Sequence, residues 1–179
     1  MTSRAFNRDF AWQMTGHQAA AAAAVLAGAA ATGGPVDAVI AIARGGTQPA
    51  RDIATALGVP VRIVRARHNP TDAMYAEATG RVWCDAAGAG PLRGRVLVVD
   101  DICGTGATLA AVTSALALAA EPGAALFTAT LCRNAGSPCR PDLTVWDDLR
   151  EWVIFPWEPG PPDGLPVRCL PEPGQALVA

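Results

Sequence analysis

Two adjacent carboxylates at the end of a short apolar run constrain this chain more than any other feature of its sequence. Residues 96–99 are all Val or Leu, which is typical of a strand buried on both faces, and Asp100 and Asp101 follow directly. A loop of small residues comes next, and the sequence from Ala107 onward predicts a helix. Free backbone N–H groups and the positive end of the helix dipole converge in such a loop. The stretch therefore predicts a phosphate site beside a cation or a diol.

Other interpretations of this loop are weaker. A Walker A loop needs a Lys after its last Gly, and the chain contains no Lys. A dinucleotide-binding loop needs the third glycine of GxGxxG, which is missing here. An ordinary strand-to-helix turn with an acidic cap remains open. However, two carboxylates that end a buried strand repel each other unless a cation or a ligand offsets their charge, which favours a ligand site.

The residues Val-Val-Asp-Asp followed by Thr-Gly-x-Thr resemble the motif that binds 5-phosphoribosyl-1-pyrophosphate (PRPP) in type I phosphoribosyltransferases. The resemblance implies that Asp100 and Asp101 hold the ribose hydroxyls. It also implies that a loop binds the 5′-phosphate through backbone N–H groups and threonine hydroxyls. The residues of this loop are Gly104, Thr105, Gly106, Ala107 and Thr108.

A second buried strand is predicted for residues 37–43, and Arg44, Gly45 and Gly46 follow it. The glycines let backbone N–H groups approach an anion while the guanidinium neutralises its charge. The alternative is an ordinary turn with a surface Arg. The segment resembles the pyrophosphate loop of the same family, in which a cis peptide bond commonly precedes the Arg. The resemblance therefore implies a cis bond between Ala43 and Arg44.

Residues 67–81 are polar and are broken by Pro and Gly, and a loop of this length is usually either functional or disordered. In the family, the corresponding segment is a mobile lid that closes over the reacting centre and excludes water. The candidate contacts in this lid are Arg67, His68, Tyr75 and Arg81.

Aromatic residues cluster near the C terminus, where residues 152–158 have the pattern Trp-x-x-x-Pro-Trp-Glu. This pattern resembles the bacterial and archaeal xanthine/hypoxanthine–guanine phosphoribosyltransferases. It implies that Trp152 stacks on a purine, that the Val153 backbone meets the base edge, and that Arg133 replaces a Lys which contacts the 6-oxo group. Ordinary packing is the alternative for the other aromatic residues of the segment, Phe155 and Trp157.

Gly104 departs from the purine-specific pattern, in which an Asp at this position lies near the purine N7 and assists proton transfer. A glycine cannot act as a general acid or base. Three functions therefore stay open: transfer to a 6-oxopurine, transfer to a non-purine or specialised-metabolite acceptor, and PRPP or nucleotide sensing without catalysis.

The composition predicts one domain and excludes several partners. With 179 residues and 51% apolar content, residues 1–179 form one domain with a substantial core. The net charge of −2 and the lack of a basic run argue against binding to nucleic acid or a membrane surface, and no stretch suits a transmembrane helix.

The Ala-rich run 19–31 predicts a soluble first helix rather than a signal peptide, and we place Trp12 in this helix. Five Cys without a CxxC pair indicate reduced thiols and a cytoplasmic location.

The resemblance runs from about Trp12 to Glu158 and implies an α/β fold, a twisted parallel sheet with helices on both faces. A small hood is expected from about residues 1–35 and 147–179, with an uninformative extended tail after residue 158. The expected reaction is transfer of the 5-phosphoribosyl group from PRPP to a nitrogen of a heteroaromatic base with release of pyrophosphate, as in purine nucleotide salvage. The expected cofactor is Mg²⁺, and the expected assembly is a homodimer or homotetramer. The metal would be held mainly by substrate oxygens, with Asp100 and Asp101 as candidate protein ligands.

Overall fold

A computed structural model describes residues 7–67, 82–160 and 164–179. The predicted lid residues His68, Tyr75 and Arg81 lie outside these ranges. The described elements are, in chain order, β1 (Asn7–Gln13), α1 (Gly16–Thr32), β2 (Ala38–Ala43), α2 (Thr47–Leu57), β3 (Val61–Arg67), β4 (Trp83–Asp85), β5 (Arg95–Cys103), α3 (Ala107–Ala119), β6 (Ala125–Asn134), β7 (Leu143–Leu149), β8 (Glu151–Ile154), β9 (Val167–Cys169) and β10 (Leu177–Val178).

The larger of the two described sheets has seven strands in the order β10-β7-β6-β5-β2-β3-β4. Its five inner strands are parallel, and the short edge strands β4 and β10 are antiparallel to their neighbours. β5 lies between β2 and β6. The carboxyl ends of these three strands therefore meet at one edge of the sheet.

Helices cover both faces of this sheet, which confirms the predicted α/β fold. Alternate residues of β5 face opposite sides, as in any strand. Leu97 and Val99 pack in a core with α1 and α2, whereas Val96 and Val98 pack in a second core with α3. The middle of β5 is therefore apolar on both faces, as its sequence predicts, and its two carboxylates lie towards its carboxyl end.

The second described sheet contains three parallel strands in the order β8-β1-β9. The hood was expected to include residues 1–35. Of the described residues in this range, β1 belongs to the small sheet, whereas α1 packs against α2 and the large sheet. The placement of Trp12 in the first helix is wrong. The helix begins at Gly16, after a capping box formed by Thr15 and Gln18, and Trp12 lies on β1.

The tail after residue 158 is extended where it forms two short strands, β9 and β10. β9 pairs with β1, and β10 pairs with β7. The Gln18 side chain donates a 2.6 Å hydrogen bond to the Leu170 carbonyl, which ties the tail to α1. None of the helices in the described ranges is long and apolar enough to cross a membrane.

Leu26→Ala should lower the free energy of unfolding by about 2–5 kcal/mol, because it leaves a cavity where α1 packs on the sheet. Leu26 is 0% exposed, whereas Leu118 on α3 is 91% exposed. The matched control Leu118→Ala should change the free energy by less than about 0.5 kcal/mol. Urea unfolding measures both variants, and equal losses would contradict the packing of α1.

Candidate functional site

The paired carboxylates lie at the carboxyl end of the central strand β5, and Asp100 and Asp101 are each only 9% exposed. The Asp101 backbone N–H donates to Asp100 Oδ1 at 3.0 Å. The Trp157 indole Nε1–H donates to Asp101 Oδ2 at 3.4 Å. The pair is therefore oriented by neighbouring groups before any ligand binds.

Burial controls the protonation of this pair. It raises the pKa of Asp100 well above its usual range, and the charge of Asp101 raises it further. Burial also raises the pKa of Asp101, whereas the hydrogen bond from Trp157 opposes this change. Ionisation of both groups is unfavourable without a ligand. Hydroxyl groups that donate hydrogen bonds, or a cation, would stabilise the ionised carboxylates and would therefore bind favourably here.

The glycine loop after β2 lies against these carboxylates. The Ala43–Arg44 peptide bond is cis, as the family resemblance predicts. A Cβ atom on Gly45 would collide with the Asp101 carboxylate, and one on Gly46 would collide with the backbone of Val99. Glycine is therefore required at both positions for the loop to approach β5, and the loop brings the exposed Arg44 to the same edge as the paired carboxylates.

The predicted phosphate loop, residues 104–108, leads into α3, which begins at Ala107. Gly106 has φ +80°, a left-handed conformation that favours glycine, and a Cβ atom there would collide with Cys139. The N-cap residue of α3, Gly106, has no side chain to cap the helix, and the Ala107 N–H donates only a long hydrogen bond of 3.4 Å to Thr105 Oγ1. Backbone N–H groups in the first turn of a helix are donors for an anion, so this loop suits a phosphate.

The predicted acceptor residues lie on two elements. Trp152 and Val153 are on β8, where their Cα atoms pair with Ala11 and Trp12 of β1. Val153 is buried, and Trp152 is half-buried. Arg133 lies near the end of β6 and not in the loop after it, because this strand extends to Asn134.

The Arg133 guanidinium is bonded inside the protein. Its Nε donates to Asp147 Oδ1 at 2.5 Å, and its Nη1 donates to the Ser137 carbonyl at 3.0 Å. Although burial would raise the pKa of Asp147, the hydrogen bond from Arg133 is among the interactions that lower it below its usual value. Asp147 therefore fixes the orientation of Arg133, and contact between Arg133 and a base stays a prediction.

Sequence analysis missed two residues at this site. Asp147 carries no sequence signal, because the ion pair joins neighbouring strands. The sequence suggests ordinary packing for Trp157, and its ring does stack on Phe155 with ring centroids 5.2 Å apart. A buried indole N–H needs an acceptor, which was the available signal, but the sequence does not identify Asp101 as that acceptor.

One predicted lid residue is described and needs a correction. Arg67 is the last residue of β3, and its Cα pairs with Trp83 of the antiparallel edge strand β4. Arg67 therefore belongs to the large sheet. The side chain is exposed at the carboxyl end of β3.

A largely parallel sheet with a glycine turn and an uncapped helix N terminus at its carboxyl edge defines a class of α/β proteins that bind ligands at this edge. Residues 14–163 match the Phosphoribosyl transferase domain. The match covers most of the chain, which therefore belongs to this family and is a PRPP-dependent phosphoribosyltransferase.

Solved structures have the same fold. The chain is 26% identical to the purine phosphoribosyltransferase from Pyrococcus horikoshii, with a TM-score of 0.71, over 84% of this chain and 95% of that one. It is 20% identical to the xanthine-guanine-hypoxanthine phosphoribosyltransferase from Helicobacter pylori, with a TM-score of 0.68, over 83% and 94%. A hypothetical protein from Neisseria gonorrhoeae with bound ppGpp is 24% identical, with a TM-score of 0.64, over 86% and 92%. The last two similarities concern the fold.

Trp157→Phe should move the acidic limb of the pH profile of kcat/KM for PRPP to higher pH. The Trp157 hydrogen bond lowers the pKa of Asp101, so its loss raises this pKa, and the carboxylate protonates at a higher pH as the solution is acidified. Trp146→Phe is the matched control, because that indole donates to the Pro171 carbonyl at 3.2 Å. Equal acidic limbs in the two variants would contradict a role for Trp157 in setting the charge of Asp101.

Proposed function

We propose that this phosphoribosyltransferase transfers the 5-phosphoribosyl group of PRPP to a ring nitrogen of a 6-oxopurine and releases pyrophosphate. The observation that carries the proposal is the buried pair Asp100 and Asp101, which lies at the same edge as a glycine loop and an uncapped helix N terminus. The similarity to the Pyrococcus horikoshii purine enzyme and the aromatic segment 152–158 support a purine acceptor.

Each part of the donor has a chemically suitable partner at this edge. Asp100 and Asp101 accept hydrogen bonds from the ribose 2′- and 3′-hydroxyls. The N–H groups at the start of α3 bind the 5′-phosphate together with the hydroxyls of Thr105 and Thr108. Arg44 and the backbone N–H groups of the adjacent glycines bind the pyrophosphate group.

The carboxylate oxygens of this site are suitable ligands for Mg²⁺. Within the described ranges, no group of three or more His, Cys, Asp or Glu residues could hold a metal ion by itself. Asp100 and Asp101 would therefore hold Mg²⁺ jointly with oxygens of the substrate, which is the usual arrangement for this cation. When bound, Mg²⁺ supplies positive charge to the leaving pyrophosphate.

The protein contributes mainly positioning and charge stabilisation. The transition state is expected to resemble a carbocation at the anomeric carbon, and the nearby carboxylates stabilise positive charge there. Arg44 stabilises the negative charge that develops on pyrophosphate. Trp152 stacks on the base and holds the attacking nitrogen in line with the breaking bond.

A non-purine acceptor is the second candidate, and two observations at the acceptor end favour it. Gly104 provides no side chain where purine enzymes of the family have an Asp. Arg133 uses Nε and Nη1 for Asp147 and Ser137, which limits the donors that it can offer to a 6-oxo group. This candidate keeps the same donor site and changes only the acceptor.

A turnover panel tests the two candidates. The purified protein is incubated with PRPP, Mg²⁺ and one base at a time, and released pyrophosphate is measured. The bases are hypoxanthine, guanine, xanthine, adenine, orotate and uracil. We expect pyrophosphate release with at least one of the three 6-oxopurines and at least tenfold less release with orotate and uracil.

Omission of the base serves as the control for simple hydrolysis of PRPP. Turnover with orotate or uracil and none with the 6-oxopurines would refute the purine proposal in favour of the second candidate. Absence of turnover with every base in the panel would also refute it.

A further inference from the structure

Asn134 has a buried side chain whose polar atoms are unpaired. The residue is 3% exposed, and neither Nδ2 nor Oδ1 has a hydrogen-bond partner among the described residues. More than about 90% of buried polar groups in proteins are paired, and an unpaired one costs about 1–3 kcal/mol. An amide with both polar atoms unpaired therefore indicates a partner that is not part of the folded chain.

The backbone around Asn134 is well held, so the unpaired amide does not result from a loose segment. Asn134 is the last residue of β6, and its carbonyl accepts from the Ser137 N–H at 3.2 Å. The next residue, Ala135, donates to the Leu149 carbonyl at 2.8 Å. Asn134 therefore remains buried at the carboxyl end of β6 because its neighbours are bonded on both sides.

The strand register places Asn134 beside the position where the purine pattern is broken. Ile102 pairs with Cys132, and Cys103 pairs with Arg133, in the parallel ladder of β5 and β6. Gly104 and Asn134 each lie one residue beyond this last pair, so a continued register would bring them side by side. Neighbouring strands are about 4.8 Å apart, so a ligand above Gly104 would lie close to the end of β6, where the Asn134 amide is buried.

The residues proposed to bind PRPP lie at the same edge of the sheet. Asp100 and Asp101 lie three and two residues before Cys103, the last residue of the adjacent strand β5, and the predicted phosphate loop follows this strand. Arg133, directly before Asn134, donates hydrogen bonds to Asp147 and to the Ser137 carbonyl. Asn134 is thus the side chain at the end of β6 whose hydrogen-bonding groups are unused within the described chain.

We propose that the Asn134 amide is a specificity-determining group that binds the polar edge of the acceptor base. This inference rests on the proposed phosphoribosyl transfer and concerns the acceptor half of the same site. An amide presents a donor and an acceptor side by side, so it suits an uncharged heteroaromatic ring with an N–H next to a carbonyl or ring nitrogen. Because an amide is neutral and does not ionise near neutral pH, Asn134 would hold the acceptor and would not deprotonate it.

Asn134→Leu tests the proposal, because it removes the amide and keeps a side chain of similar size. We expect the KM for the best acceptor of the base panel to rise about tenfold, which matches the loss of one or two hydrogen bonds, while the KM for PRPP stays within about twofold. The melting temperature of the free variant should be equal to or above that of the wild type, because a buried unpaired amide has been replaced by an apolar group.

Thr130→Val is the matched control on the same strand. Thr130 is 0% exposed, and its hydroxyl is bonded to the Thr144 hydroxyl at 3.3 Å. This variant should lower the melting temperature and leave the acceptor KM unchanged. If Asn134→Leu does not fold, Asn134→Ala provides the same comparison of the two KM values.

The KM measurements and the melting temperatures together separate the failure of this proposal from the failure of the proposed function. If the wild type uses a base other than a 6-oxopurine, the purine proposal fails, and the Asn134 comparison is made with that base. If it uses no base of the panel, the melting temperatures decide: a loss in Asn134→Leu as large as that in Thr130→Val shows that the amide is paired in the fold and overturns the inference. An unchanged acceptor KM in Asn134→Leu also overturns it.

Discussion

The burial of two neighbouring carboxylates at the end of the central strand is the interaction on which the rest of the structure depends. Burial raises the pKa of both Asp100 and Asp101, so their joint ionisation opposes folding unless other groups compensate. The indole of Trp157 and the backbone N–H of Asp101 provide partial compensation. Gly45 lets the loop after β2 lie directly against the Asp101 carboxylate. The remaining compensation is left for a ligand with hydroxyl groups and a cation, and the family to which the chain belongs uses PRPP.

The fold directs these polar groups to one edge. β5 is apolar on both faces, because α1 and α2 cover one face and α3 covers the other. Its parallel pairing with β2 and β6 aligns the carboxyl ends of three strands. The residues proposed to bind PRPP come from β5 and the loops after β2 and β5, whereas the candidate acceptor residues come from β6 and β8. Under this proposal, PRPP and the acceptor base are bound by different strands, so substitutions at the acceptor end need not alter the PRPP end.

Local sequence patterns predicted most of the large sheet and its helices. The apolar run of residues 96–99 and the glycines that follow the strands have short-range signals in the sequence, whereas the cis bond before Arg44 was implied only by the family resemblance. The small sheet could not be predicted in this way, because β1 pairs with β8 and β9, which lie far away along the chain. Trp12 was expected in the first helix because it precedes the Ala-rich run, and its pairing on β1 with distant strands has no local signal. Contacts from Trp157 to Asp101 and from Arg133 to Asp147 cross between elements, so only the folded chain reveals them.

The central claim is that the buried carboxylate pair binds the ribose of PRPP. Titration calorimetry of PRPP in the presence of Mg²⁺, with wild type and the double variant Asp100→Asn and Asp101→Asn, tests it most directly. We predict that the double variant loses detectable PRPP binding. Its melting temperature should be equal to or above that of the wild type, because the raised pKa values indicate that two ionised carboxylates destabilise the ligand-free fold. PRPP binding of wild-type affinity by the folded double variant would contradict the account.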